Sequence, residues 1–144
     1  MTPPPEPSES RVFRSKPPAP VQGPFYAPAP GQPAHLYPHV CFACRSSFRR
    51  PVSAEGFTRP CPRCRAPAAP LWSKFKPPLR THTAQWAKVE ALVRAGFFFL
   101  EAGEPYPDTL KEVAGFAARQ AGLAEQWRAR WPQLYAAYDA TLNR

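Results

Sequence analysis

The stretch "CFACRSSFRRPVSAEGFTRPCPRC", residues 41–64, begins and ends with a Cys-x-x-Cys pair and contains every cysteine of the chain. Sixteen residues separate Cys44 from Cys61. A Cys-x-x-Cys turn places two thiolates on one side of a tight loop, and two such turns supply four sulfur ligands in a tetrahedron. We therefore predict that Cys41, Cys44, Cys61 and Cys64 hold one zinc ion.

Two disulfides or a thioredoxin-type redox pair are the alternatives to a metal. The N-terminal sequence "MTPPPEPSESRVFRSKPPAP", residues 1–20, has no apolar signal segment, which predicts a cytoplasmic protein with reduced thiols. A four-cysteine site has no open coordination position, so the zinc is predicted to be structural. Iron centres use a similar ligand set, and the ligands alone do not separate zinc from iron.

The two knuckles "CFAC" and "CPRC" resemble those of zinc ribbons, over about residues 39–68. In the commonest ribbon pattern a glycine follows the second cysteine of a knuckle, whereas Arg45 and Arg65 stand at those positions here. We expect strained turns, or a left-handed backbone reached at some cost. The segment "KFKPPLRTHTAQWAKVEALVRAGFFF", residues 74–99, is similar to small bacterial zinc-ribbon proteins of unknown role, which implies no activity.

The chain divides into three parts by composition. Residues 1–34 are rich in proline and predict a disordered tail, in which Phe25 and Tyr26 could dock on the folded part or serve as a recognition spot. Residues 35–70 form the predicted ribbon, with a β-hairpin whose strands "SSFRRPV" and "EGFTRP" flank the turn "SAEG". Residues 71–144 hold a basic connector and a helical region.

The fold class predicted is small α+β, a zinc-ribbon hairpin followed by about three helices. The first helix, "THTAQWAKVEALVRAG", is capped by Thr81 or Thr83 and ends at Gly96, and its apolar face contains Trp86, Val89, Leu92 and Val93. "FFFL" predicts a short buried strand or extended segment. A second helix begins at Asp108 and ends at Gly122, and a third is broken near Pro132. Trp86, Leu92, Phe98 and Phe116 are predicted to share one core.

The net charge of +9 favours a polyanionic partner. Residues 41–80 hold nine Lys and Arg but only one acidic residue, Glu55. Four thiolates around Zn²⁺ carry a charge of about −2, which Arg45, Arg63 and Arg65 can neutralise. The remaining cations alternate with aromatic residues, a pattern typical of proteins that bind RNA or single strands, including ribosome-associated ones. The predicted contacts are Arg49, Arg50, Arg59, Lys74, Lys76, Arg80, Phe48 and Phe75.

Catalysis is not predicted, because no nucleophile–histidine–acid pattern, phosphate loop or His-x-x-x-His pair is visible. His39 could brace the first knuckle or act as an alternative ligand. No membrane partner and no small-molecule substrate are predicted. Two other functions stay open: a protein-interaction adaptor, and a redox or metal-relay protein.

Overall fold

The computed structural model describes residues 24–28, 30–53 and 55–143. The sheet consists of four short strands: β1, Tyr37–Cys41; β2, Ser46–Arg50; β3, Arg59–Pro60; and β4, Pro67–Pro70. All neighbouring strands are antiparallel, in the order β2-β1-β4-β3. With the helices that follow, this confirms the predicted small α+β class.

Each Cys-x-x-Cys turn closes a hairpin of its own. Cys41 lies opposite Ser46 in the β1–β2 pair, and Pro60 lies opposite Pro67 in the β3–β4 pair. The predicted hairpin between "SSFRRPV" and "EGFTRP" is therefore wrong. The turn "SAEG" contains a bridge between Ser53 and Gly56, and the two segments contact each other through the hydrogen bond from Arg59 to Pro51 O, without pairing as strands. The first turn spans residues 42–45 and the second spans residues 61–66, so each strand pairs with the strand across its own knuckle.

The helical region contains more elements than the three helices predicted. They are α1, Thr83–Ala95; a 3₁₀ turn, Leu110–Glu112; α2, Val113–Arg119; α3, Ala121–Arg130; and α4, Pro132–Leu142. The second predicted helix is thus divided, and it continues as α3 across Gly122. The predicted break near Pro132 is confirmed, since Pro132 is the first residue of α4, where the missing N–H of proline costs nothing.

The caps of the helices differ from the prediction at the N-termini and agree with it at Gly96. His82, rather than Thr81 or Thr83, is the N-cap of α1. Thr109, rather than Asp108, caps the 3₁₀ turn, in a capping box with Glu112.

Gly96 ends α1 because it adopts φ 103°, a left-handed conformation that other residues reach only with strain. Its N–H donates to Val93 O, and the N–H of Phe97 donates to Leu92 O. These two bonds form a Schellman motif, which satisfies the last carbonyls of the helix. The chain then turns directly into the protein interior.

Phe97 and Phe98 follow this turn in irregular backbone, not in the predicted strand. Phe98 is fully buried, and its ring lies 5.2 Å from that of Trp127 and 5.7 Å from that of Tyr138, between ring centroids. The buried core extends from the sheet to α4 and contains all four residues predicted to share it, Trp86, Leu92, Phe98 and Phe116. The apolar face predicted for α1 is also confirmed.

The C-terminal helix α4 holds the central strand β4 by its side chains. The hydroxyl of Tyr138 donates to Pro70 O over 2.7 Å, and the hydroxyl of Thr141 donates to Pro67 O over 3.1 Å. Tyr135 donates to Gly96 O over 2.6 Å. One helix therefore connects the sheet with the end of α1.

Phe25 belongs to the core, although it lies in the segment predicted to be a tail. It is 1% exposed, and its ring contacts Tyr37 at 4.8 Å and both Trp72 and Phe98 at 5.8 Å. The neighbouring Tyr26 is 55% exposed. The tail is therefore not inert from residue 24 onward, and residues 1–23 lie outside the described part of the chain.

We predict that Phe25→Ala lowers the free energy of unfolding by about 3–5 kcal/mol, because it removes a buried aromatic ring from a packed site. Tyr26→Ala is the matched control and should change stability by less than about 0.5 kcal/mol. Chemical denaturation of both variants measures the difference. Equal stability of the two variants would show that Phe25 does not pack as described.

Candidate metal centre and basic cleft

The four cysteines converge at one end of the sheet, where the two hairpin turns meet. Their Sγ atoms all lie within 4.8 Å of one another. The Sγ atoms of Cys41 and Cys64 are 3.6 Å apart, and those of Cys44 and Cys61 are 4.0 Å apart. Each of these pairs joins the two knuckles, so both knuckles contribute to a single site.

These distances fit one tetrahedral metal ion. Four sulfurs at about 2.3 Å from a metal lie about 3.8 Å from one another, close to the distances between the two knuckles. A disulfide needs an S–S distance of about 2.0 Å, and all four cysteines are free thiols. The cysteines can therefore hold one metal ion.

Both arginines that follow a knuckle have left-handed backbone, as the departure from the glycine pattern predicts. Arg45 has φ 51° and Arg65 has φ 69°. The N–H of Arg65 donates to Cys61 O over 2.8 Å, and the N–H of Cys61 donates to Ala66 O over 2.8 Å. These hydrogen bonds close the second knuckle and offset the cost of the left-handed residue.

The thiols of the site differ in acidity. Burial raises the pKa of Cys41 to about 12. Burial also acts to raise the pKa of Cys61, but hydrogen bonds from the backbone N–H groups of Cys64 and Arg63 and from neighbouring thiols outweigh it and lower that pKa to about 6. Cys61 is therefore the sulfur best suited to carry the first negative charge.

His39 supports the sheet and is not part of the sulfur cluster. Its Nδ1 donates to Tyr37 O over 2.9 Å, while the buried Nε2 has no hydrogen-bond partner among the described residues. Burial lowers the pKa of His39 to about 4, so the ring is neutral at pH 7. The ring stacks on Phe48 at 5.4 Å, with an interplanar angle of 19°. It braces β1 next to the first knuckle.

The structure disperses the cations that the sequence singles out. Arg49 and Arg50 lie at the end of β2 opposite to the metal centre, where Arg49 donates to Leu36 O over 2.8 Å. Arg59 donates from Nε to Pro51 O, also over 2.8 Å. Lys74 lines a separate cavity beside Tyr106. Lys76 is exposed on the connector.

The two predicted aromatic platforms have different environments. Phe75 is 3% exposed and packs against Phe99 and Trp86 in the core, so its face cannot stack on a base. Phe75 is therefore removed from the set of predicted contacts. Phe48 is half-buried, covered on one side by His39 and approached by Arg50 at 5.7 Å.

A basic cleft of about 470 Å³ runs beside the metal centre, between the two knuckles and the connector. Three arginines line it, Arg45, Arg63 and Arg80. Arg80 also donates from Nε to Cys44 O over 3.3 Å, which fixes the connector to the first knuckle. The residues lining the cleft are Arg45, Ser46, Ser47, Phe48, Pro62, Arg63, Pro77, Pro78, Leu79, Arg80 and Trp86, and none of these described residues is acidic.

Sequence reasoning identified Arg80 and Phe48 but missed the rest of the cleft. It assigned Arg45 and Arg63 only to neutralise the metal centre. Convergence of the knuckles carries these side chains to the connector, a long-range contact that spacing does not reveal. One signal in the sequence could have indicated the cleft: two polar residues, Ser46 and Ser47, follow the first knuckle between Arg45 and Phe48.

Comparison with protein-family models, with curated proteins and with solved structures gives no significant match. None of the helices in the described part of the chain is long and apolar enough to cross a bilayer.

We predict that the purified chain carries one metal ion and that Cys61→Ser abolishes its binding, because three sulfurs no longer close the site. Metal analysis and thiol titration measure the stoichiometry. Removing the metal with a chelator should lower the melting temperature markedly, since the cluster of side chains beside the knuckles has few buried residues of its own. A chain that binds no metal and is equally stable with chelator would contradict this assignment.

We further predict that Arg45→Gly is more stable than Arg45→Ala by about 1 kcal/mol, because only glycine adopts positive φ without strain. Arg63 is the matched control, since it precedes Cys64 in the second knuckle and has no positive φ. Arg63→Gly should be no more stable than Arg63→Ala. Denaturation of the metal-bound variants gives the four values, and an equal preference at both positions would rule out the strained turn.

Proposed function

We propose that this chain is a non-catalytic zinc-ribbon protein that binds single-stranded nucleic acid, preferentially RNA, through the basic cleft beside the metal centre. The observation that supports this proposal is the convergence of three arginines on one cleft with no acidic residue in its lining. Guanidinium groups suit phosphate because they donate paired hydrogen bonds in a fixed plane.

Zinc is the metal proposed, with a structural role. Four cysteines fill its coordination shell, so no position is left for a reacting water. The zinc and four thiolates together carry a charge of about −2. Arg45 and Arg63 extend from the knuckles themselves, so the negative charge of the site neutralises part of their positive charge. Arg80 lies on the connector and adds a third positive charge to the cleft.

The shape of the cleft favours a single strand over a duplex. Phe48 lines the cleft with part of its ring exposed, beside the apolar rings of the connector prolines, and exposed aromatic rings contact unpaired bases. The hydroxyls of Ser46 and Ser47 can donate to phosphate or accept from a ribose 2′-OH. Reading a duplex through its major groove generally needs an element that enters the groove, and the cleft is formed by turns and an extended connector.

One observation favours the alternative function proposed from the sequence, a zinc-stabilised protein-interaction adaptor. Leu79 lines the cleft and is 66% exposed, so an apolar side chain is available to a protein partner there. A protein partner held by Leu79 would bind with little dependence on salt, whereas RNA held by arginines binds with a steep dependence.

We predict that Arg45→Ala/Arg63→Ala weakens binding of a labelled 12-nucleotide RNA at least tenfold at 0.1 M salt. Loss of two phosphate contacts should also lower the slope of log affinity against log salt by about 1.4. Fluorescence anisotropy at several salt concentrations measures both quantities. Metal content should stay at one ion in the variant, because the cysteines are unchanged.

Arg49→Ala/Arg50→Ala is the matched comparison, since it removes the same charge from the opposite end of β2. If the cleft is the binding site, this pair should have the smaller effect on affinity. A larger effect at Arg49 and Arg50 would refute the cleft as the site and favour the contacts predicted from sequence. If the protein does not bind RNA at low salt, the proposed nucleic-acid function is wrong and the protein-interaction adaptor becomes the favoured function.

A further inference from the structure

A second cavity, of about 650 Å³, lies at the other end of the connector. It is formed between Lys74 and the loop that follows the core phenylalanines, and it is lined by Phe99, Glu101, Gly103 and Tyr106 among others. It shares no lining residue with the basic cleft. The cavity is therefore a separate candidate site.

The loop around this cavity is held in a defined shape. Phe99 has φ 73°, a costly conformation for a bulky residue that persists only where its surroundings enforce it. Glu104 accepts hydrogen bonds from Arg119 and Gln120 of the helical region. The hydroxyl of Tyr106 donates to Leu100 O over 2.6 Å. Both ends of the loop are thus fixed before any ligand arrives.

Aromatic rings form one wall of the cavity. The rings of Phe99 and Tyr106 are stacked, with centroids 4.8 Å apart and an interplanar angle of 15°. Both side chains are only half-buried. Phe75 lies 5.0 Å from the Phe99 ring and Phe116 lies 5.0 Å from the Tyr106 ring, between ring centroids. A flat ligand in the cavity therefore contacts the exposed parts of Phe99 and Tyr106, in the edge-to-face or offset arrangements that aromatic rings prefer. The wall therefore suits a planar aromatic ligand.

Two unpaired charged groups complete the lining. Lys74 and Glu101 have no hydrogen-bond or ion-pair partner in the part of the chain that the structure describes, whereas Glu104 is engaged by Arg119. Lys74 can contact a phosphate, and the Glu101 carboxylate can accept two adjacent N–H groups of a ring edge. Among the bases, guanine presents two such donors side by side, N1–H and N2–H.

The connector joins this cavity to the cleft. Lys74 lines the cavity, and Pro77, Pro78 and Arg80 line the cleft, with the exposed Lys76 between them. Lys74 and Arg80 are six positions apart in the sequence, a length of chain that spans at most about 20 Å. This length matches a few nucleotides of an extended strand, so one strand can reach both sites.

We propose that the cavity binds a single unstacked base of the bound strand, with a preference for guanine, and that the stacked pair of Phe99 and Tyr106 is the platform for which the sequence suggested Phe75. Glu101 selects the base, and Lys74 contacts its phosphate. This inference rests on the proposed function, since the same connector carries the strand to the arginine cleft.

The test uses the full-length, metal-bound protein labelled with ¹⁵N and titrated with three probes: 5′-GMP, 5′-UMP and ribose 5-phosphate. We expect 5′-GMP to shift the amide signals of Ala102 and Gly103 in a saturable way, and ribose 5-phosphate to leave them unchanged. Glu101→Gln should weaken the affinity for 5′-GMP at least fivefold and change the affinity for 5′-UMP by less than twofold. Lys74→Ala should weaken the binding of both nucleotides. Its control is Lys111→Ala, at an exposed lysine of the 3₁₀ turn, which should leave the binding of both unchanged.

The inference is overturned if 5′-GMP leaves these signals unchanged, or shifts them no more than ribose 5-phosphate does. It is also overturned if Glu101→Gln weakens both nucleotides equally. If the proposed function of the basic cleft is wrong, the outcome is different. Mononucleotide binding near Gly103 should persist in the Arg45→Ala/Arg63→Ala variant, because these arginines do not line the cavity. Shifts at Gly103 without binding of the 12-nucleotide RNA would keep the base site and refute the proposed function.

Discussion

Convergence of four sulfurs at one point is the constraint on which the rest of the structure depends. The strands have two to five residues each, too few to form a stable sheet by backbone hydrogen bonds alone. The small cluster beside the knuckles contains only Cys41, Cys61 and Ala68 as fully buried residues. A metal ion bound by the four cysteines would replace the missing core there, and convergence of the knuckles sets where their arginines lie.

The opposite side of the sheet depends on aromatic packing rather than on the metal. Phe25, Phe98 and the tyrosines of α4 cover β1 and β4, and the tyrosine hydroxyls satisfy backbone carbonyls that helix or sheet bonding leaves open. The apolar core thus holds the sheet along its strands, and a metal ion bound by the four cysteines would hold it at its turns.

Local signals in the sequence predicted the local features well. The Cys-x-x-Cys spacing identified the four sulfurs, the period of 3.6 residues identified the face of α1, and Gly96 marked its end. The pairing of the strands was not predictable from turn residues, because both knuckles and "SAEG" reverse the chain, and the strands pair across the knuckles. Phe75 was misread for a related reason: an aromatic residue between two lysines has the same sequence pattern whether it points to solvent or into a core.

The anchoring of α4 on β4 has a consequence for the order in which the molecule assembles. Cys41 and Cys64 are 23 positions apart, whereas Tyr138 and Pro70 are separated by 68 and Thr141 and Pro67 by 74. The entropic cost of closing a loop grows with its length, and contacts between distant residues form late. We therefore expect the knuckles to come together first, so that the carbonyls of Pro67 and Pro70 are in place when α4 docks. Docking of α4 is then expected to be the last step, in which the pair of hairpins and the helices become one cooperative unit.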